Sequence, residues 1–592
     1  MVHIFPFWRR YLKQICFALC ALILGVGSDL LQPTIVSRII DEGVMHGELS
    51  VVIRLGALML GVSAFGAVCA IIRCVISSSV SQQFGADLRL ELFSRISRFS
   101  ISALGRTETA GLITRMTNDT SQLVGFTNSI MRIFVRAPAL LIGAIIMTVL
   151  LNARLASILI IVVPIIAILM YISLKVTLPL FSKMQAALDK NNSIIREYLS
   201  GVRVVKAYNT FDQEVDRFDG TNADLTHIST RSAQVVGIFF PIISFSVNIG
   251  IVATLWLARG WIADSTMQVG QVVAFLNYMT QISMALRMIF MVYQSFIRSK
   301  ASAERIAEIL TEDELSHTLG VVPSKDLNFP PCTKTEFKSV TKSINSSIRF
   351  NNVTFTYPYK SNVGENIIER MPALADITFS LPAGETLGIL GYTGAGKTSL
   401  VQLIAGFYKP DSGNIFIGNN AISELDEDTL RSHVAYAAQQ CVIFYGTIAE
   451  NIRMGKPDAT LEELTQAAKA AGAYDFIAAS PNQFDTIVGQ KGVTLSGGQK
   501  QRIVIARALI RNAPILILDD SVSAVDMATE ANIMKAIGEL SPPPTRIIIT
   551  QRISAMRDLQ HILVLENGRM AGYGNHDDLI KNCKIYKEMC EI

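Results

Sequence analysis

Residues 391–398 read GYTGAGKT, an instance of G-x-x-x-x-G-K-[ST], and they follow TLGIL at 386–390, an apolar run of strand length. A strand ending in such a loop, with a helix starting from its last residues, is the context the pattern requires. Gly391, Gly394 and Gly396 let the backbone curl until successive N–H groups point at phosphate oxygens. Tyr392, Thr393 and Ala395 lie between those glycines, and Ser399 carries the chain into the helix. Lys397 adds a cation for the β- and γ-phosphates, and Thr398 a hydroxyl for Mg2+. A phosphate loop in an α/β domain is therefore expected, binding a nucleoside triphosphate with Mg2+.

Two further stretches downstream carry chemistry. PILILDD at 514–520 is an apolar run ending in carboxylates, as a buried parallel strand does where ligands bind at its C-terminal edge. Asp519 is the expected holder of the Mg2+ shell. LSGGQKQR at 495–502 places the Ser496 hydroxyl and the close backbone of Gly497 and Gly498 at a helix start, a second anion clamp. Around these motifs, from Ile348 onward, short β-branched strands alternate with helical stretches, so residues 347–592 form the expected α/β nucleotide-binding domain. Residues 311–346 mix Pro, Ser, Thr, Lys and Asn without periodicity, contain Pro330-Pro331, and read as a linker.

The first 310 residues have a different character. The 592-residue chain is too long for one core, and its 17% charged residues fall short of the roughly 25% usual in soluble domains. Six segments have the roughly 20 apolar residues a membrane crossing needs, near 15–40, 52–80, 129–151, 155–175, 235–257 and 268–297. Three basic residues (Arg9, Arg10, Lys13) precede them, and Phe5–Leu12 reads as an interfacial elbow. The short joins 41–51, 152–154 and 258–267 hold only Arg154 and Arg259 as basic residues. The long joins carry many arginines and lysines, so the N-terminus and both long joins are assigned to the cytosol. Helical apolar spacing in 81–128 and 176–234 predicts spans that continue well into the cytosol, with turns near 107–120 and 207–218. The eight cysteines form no CxxC pair, and the net charge of +4 is scattered; neither a disulfide framework, a zinc site nor a nucleic-acid partner is expected.

GYTGAGKT, LSGGQ and ILILDD, in this order and spacing, resemble the nucleotide-binding domain of ATP-binding-cassette (ABC) proteins, and the six spans resemble the exporter-type membrane domain. The resemblance implies ATP and Mg2+ as ligands and ATP hydrolysis coupled to transport. It assigns the phosphate loop, Gly391 to Ser399, to ATP, and Tyr357 in VTFTYP to stacking on adenine. It gives Gln439 the link between Mg2+ and the membrane domain, and Asp526 in SAVD the crossing to the partner cassette. Because paired cassettes of this family sit head to tail, Leu495, Ser496, Gly497, Gly498 and Gln499 would serve the ATP on the partner's loop. The turns near 107–120 and 207–218 resemble coupling helices. A multi-pass protein of the cell membrane, with its N-terminus and ATPase domain in the cytoplasm, is implied.

Two departures fall on catalytic positions. Asp520 stands where the family usually has Glu, and Gln551 where it has His. Gln490 also replaces a usual Glu. A carboxylate shorter by one methylene misplaces its oxygens by about 1 Å, which can cost roughly 10²-fold in rate. An amide contacts a γ-phosphate without carrying charge. The pattern resembles the degenerate-site subunit of bacterial heterodimeric multidrug exporters, as do DLLQPTIVSRIIDEGV at 29–44 and FGADLRLELF at 84–93. A second half-transporter with the catalytic Glu and His is the implied partner, and amphipathic drugs or lipids are the implied substrates. Uptake of a metal chelate on the exporter fold, or an ATP-gated regulator or channel, remains open.

Within the spans, Asp29 is expected in the outer half of the first, either in the translocation path or in an interhelical hydrogen bond. Arg73 is expected to snorkel toward the headgroups, and Arg287 to face the path. Met279, Met284, Met288 and Met291 fit ordinary helix packing or a permissive pocket.

Overall fold

The computed structural model describes residues 4–106, 109–264, 266–316, 345–357 and 371–591. The chain divides into two compact units: Met1–Arg98 with Thr109–Pro323, and Phe99–Glu108 with Ser324–Ile592. Most of the linker expected at 311–346 lies outside the described residues, but the last membrane helix runs on to Ser316.

Among the described residues, six helical segments are long and apolar enough to span a bilayer: Leu12–Val44, Leu49–Arg98, Thr109–Leu151, Ala153–Tyr208, Phe211–Ala263 and Val269–Thr311. The second, fourth and fifth are uninterrupted helices of 50, 56 and 53 residues. At 1.5 Å per residue they reach about 75–85 Å, far beyond about 30 Å of hydrocarbon, so they do continue past the bilayer. Large apolar side chains such as Leu60, Ile160 and Trp256 stand outward and exposed, a surface suited to acyl chains rather than water. The first span packs along the second, the fourth along the fifth, and the sixth against the first and third. Close approach depends on glycine: a Cβ on Gly143 would lie 2.2 Å from Leu30 Cδ1.

Several sequence expectations change here. The elbow helix is shorter, Phe5–Arg9. The reversal expected at 107–120 falls partly on residues outside the description, 107 and 108. Its remainder is helix Thr109–Thr114 and π-helical Arg115–Asp119, which open the third span. The preceding helical path breaks earlier, at Phe99–Ser100. Between the fourth and fifth spans, Asn209, at φ 51°, takes the left-handed conformation its short amide tolerates, and helix resumes at Phe211. Asp29 sits near the middle of the 33-residue first span, because that helix continues through the π-helical turn Ile39–Val44. There it forms an interhelical ion pair, 2.9 Å from Arg136 Nη2. Arg73 does not snorkel; it is only 9% exposed and its Nη1 donates to the Arg132 carbonyl at 3.1 Å. Arg287 Nη2 donates to Ser283 Oγ, one turn away on its own helix. The methionines do not share a surface, since Met279 is buried in the bundle while Met284 and Met291 are exposed.

In the second unit the described strands are β1 (Ile348–Phe355), β2 (Leu374–Leu381), β3 (Thr386–Leu390), β4 (Ser412–Ile417), β5 (Asn420–Ala421) and β6 (Val434–Ala437). Then come β7 (Gly446–Thr447), β8 (Ile487–Val488), β9 (Ile515–Asp519), β10 (Thr545–Ile549), β11 (His561–Glu566) and β12 (Arg569–Gly574). The central sheet has the order β12-β11-β3-β10-β9-β6, parallel except for the β11–β12 hairpin. Its middle strands are covered on both faces, which is why β9 is buried at all five positions and its sequence is a continuous apolar run. An antiparallel sheet, β2-β1-β4-β5, adds a second layer of buried apolar side chains. Crossover helices return the chain in the same direction each time, so β3, β9 and β10 all end at one edge.

Candidate nucleotide site

The loop after β3 opens helix α1 (Lys397–Ile404), the strand–loop–helix order expected from the sequence. Gly396 sits at φ 98°, and a Cβ there would lie 2.7 Å from the Ala373 carbonyl oxygen. Gly391, at φ 150°, would bring a Cβ within 2.4 Å of the Leu565 carbonyl oxygen. Side chains at either position would open the curl that turns the N–H groups inward. Lys397 Nζ donates to the carbonyls of Gly391 (2.6 Å) and Tyr392 (2.9 Å), which folds the side chain back over its own loop. Burial pushes this ammonium below the ordinary lysine range, and the neighbouring charges of Asp520 and Asp519 oppose the shift.

A cavity of about 310 Å³ opens here, lined by Thr393 to Ser399 of the loop, with Gln439, Asp519, Asp520 and Gln551 around it and Tyr357 at its side. Five separate sequence motifs therefore meet at the C-terminal edge of the sheet. Asp519, the last residue of β9, accepts from Thr398 Oγ1 at 3.2 Å and from Tyr436 Oη at 2.8 Å. Burial raises its pKa, against the lowering effect of both hydrogen bonds. Burial with the Asp519 charge also pushes the Tyr436 hydroxyl upward, so it stays a donor. Asp520 adopts φ 49°, its N–H donating to the Ile549 carbonyl at 3.0 Å. Its Oδ2 accepts from Gln439 Nε2 at 3.3 Å, while Oδ1 is buried without a partner. Burial raises the Asp520 pKa as well. Tyr357 Oη meets Ser399 Oγ at 2.9 Å and donates to Gln402 Oε1 at 3.1 Å, with its ring edge-on to Tyr408.

Oxygen donors dominate this set, as Mg2+ demands. Thr398 and Asp519 already touch, which places one hydroxyl and one carboxylate where a hexacoordinate ion keeping several waters and phosphate oxygens would need them. The residues present fit Mg2+ brought in with a nucleotide, which would there screen the charge of the β- and γ-phosphates.

The signature residues are not brought to this cavity. Ser496 caps helix α2 (Gly497–Leu509): Gln499 N–H donates to Ser496 Oγ at 3.3 Å, and Ser496 N–H donates to Gln499 Oε1 at 2.9 Å. Two N–H groups are thus satisfied reciprocally at a glycine-rich helix start. Asp526 likewise caps helix Met527–Gly538, through the Thr529 N–H and hydroxyl. Sequence reasoning missed Ala373 and Ile549 at the cavity and Tyr436 as the donor to Asp519; a tyrosine in the strand VAYA looks like one more wall residue.

Residues 15–286 match the ABC transporter transmembrane region, and residues 374–523 match the ABC transporter family. The ABC transporter ATP-binding protein YfiB of Bacillus subtilis is 35% identical, covering 99% of this chain and 97% of that protein. This chain belongs to the ABC transporter family. The ATP-dependent lipid A-core flippase of Photobacterium profundum is 28% identical over the whole of this chain and 97% of its own length. A bacterial Atm1-family ABC exporter with ATP bound superimposes with a TM-score of 0.80 at 26% identity, covering 98% of this chain and 99% of that one. As an ABC half-transporter of exporter fold, the chain joins a multi-pass membrane domain to a cytoplasmic ATPase that uses ATP with Mg2+.

Proposed function

We propose that this chain is one half of a heterodimeric exporter of amphipathic drugs or lipids, in which it contributes a site that binds ATP but turns it over poorly. The observation that carries this reading is the company Asp520 and Gln551 keep: both line the cavity of an intact phosphate loop. Asp520 is held back by its left-handed backbone and by Gln439, and its side chain is one methylene short of the glutamate usual in the family. Gln551 brings an amide where a histidine is usual. Tyr357 would stack on the adenine, and Asp526 would face the partner cassette. The signature Leu495–Gln499 lies away from the chain's own cavity and would complete the partner's site, which needs Glu and His of its own. The kinship with lipid A-core flippases supports an amphiphile as substrate.

The test is ATP-driven flux of a fluorescent amphiphile in sealed vesicles holding this chain alone or with its partner. Outward transport is expected only for the pair. Robust coupled transport by this chain alone, lost in Asp520→Asn, would overturn the assignment, and inward flux would overturn export.

A further inference from the structure

A second site lies inside the membrane unit. Arg73 carries a full charge, yet it is nine-tenths buried and its Nη1 donates to a backbone carbonyl, that of Arg132. Among the described residues no carboxylate pairs with it, and its Nε is buried with no partner. Arg132 is one helical turn, about 6 Å, from Arg136. Arg136 is already neutralised by Asp29 at 2.9 Å. Gln281 donates from Nε2 to the Asp29 carbonyl at 3.3 Å, and its Oε1 is also buried and unpartnered. A buried charge without an ion-pair partner of its own is costly, and in membrane helices such residues mark ligand paths. Arg73 lies about 36 Å along its helix from Leu49, and Arg136 about 24 Å from Asn152, so the group sits toward the cytosolic side of the bilayer.

We propose that Arg73, beside the Asp29–Arg136 pair and Gln281, binds an oxyanion that carries a hydroxyl: the headgroup of an anionic amphiphile taken from the inner leaflet. The assignment to a transported amphiphile rests on the export reading; the anion site itself does not. The anion supplies the counter-charge that Arg73 lacks and accepts from its free Nε–H, Gln281 Oε1 accepts from the hydroxyl, and Asp29 keeps Arg136 from over-binding the anion.

The test uses the full chain, in the oligomeric form in which it purifies, in phosphatidylcholine nanodiscs without ATP. Labelled dioctanoyl phosphatidylglycerol is titrated against matched dioctanoyl phosphatidylcholine. The anionic probe should bind about tenfold tighter, and Arg73→Gln should remove about that factor, as for one charge-assisted hydrogen bond. Arg73→Lys should keep part of it. Asp29→Asn leaves Arg136 unneutralised and should tighten binding about threefold, whereas a purely structural role would weaken both variants alike. Should Arg73→Gln fail to fold, Arg73→Lys and Asp29→Asn carry the comparison. Competition by millimolar glycerol phosphate would identify a soluble anion as occupant, and its absence a lipid headgroup; either keeps the oxyanion site. Equal affinity for the two lipids, an unchanged Arg73→Gln affinity, or loss in both Arg73→Gln and Asp29→Asn would overturn it. No ATP or flux enters this assay, so its failure and that of the export reading are told apart.

Discussion

Asp519 ties the nucleotide cavity together, because its two oxygens hold Thr398 from the phosphate loop and Tyr436 from the neighbouring strand. A tyrosine hydroxyl donating to a buried carboxylate fixes its rotamer and supports its ionised form. Tyr436→Phe should therefore weaken Mg2+-dependent ATP binding by about three- to tenfold while Mg2+-free nucleotide binding stays near wild type; equal loss in both would show a packing defect instead. Lys397→Ala removes an ammonium that lines the cavity and should abolish retention of labelled ATP at this site, so unchanged retention would sink the binding role. The glycines, Lys397 and Thr398 were legible in sequence because their spacing is local: one turn of backbone makes the curl. Tyr436 and the Asp29–Arg136 pair were not, since their partners lie 83 and 107 residues away and no local pattern encodes the meeting.

Helix caps and helix ends set the next scale. Ser496 closes the capping box of α2, and under the proposed function it would also face the partner's nucleotide. Ser496→Ala should cost about 1 kcal/mol of cassette stability. Ser496→Asp should keep the cap yet suppress hydrolysis by the assembled transporter, because a carboxylate there repels the phosphates of an opposing nucleotide; chemical denaturation beside ATPase rates separates the two effects. In the membrane unit, buried Asp41 of the first span accepts the Gly270 N–H at 2.7 Å, capping the sixth helix from outside. A Cβ at Gly270 would meet the Ser37 carbonyl oxygen at 2.3 Å. Gly270→Ala, through its clash, and Asp41→Ala, through a lost buried hydrogen bond worth about 1–3 kcal/mol, should each lower the thermal midpoint of the detergent-solubilised protein; an unshifted midpoint for Asp41→Ala would deny the cap. Span number and the cytosolic extensions were readable from apolar periodicity. The break at Phe99–Ser100 was not, because neither residue is a glycine or proline and the flanking sequence keeps helical spacing on both sides.

At the scale of the whole molecule, the proposed pairing makes a quantitative forecast. In the assembled heterodimer, loss of the partner's catalytic glutamate should cut ATP turnover at least about 10²-fold, and Asp520→Asn here far less. Equal losses would mean that both sites carry the chemistry. What the amino-acid order determined alone was everything that repeats or lies close along the chain: six apolar spans, an α/β cassette, a glycine-rich loop between strand and helix, and a carboxylate at a strand end. Those follow from hydrophobic periodicity and from contacts within a few residues, which local physics dictates. Tertiary structure alone decided which distant residues share a cavity, which arginine neutralises Asp29, and that Arg73 is buried rather than snorkelling. A side chain's partner and burial depend on helices packing across a hundred residues or more, and a sequence window carries no record of that packing.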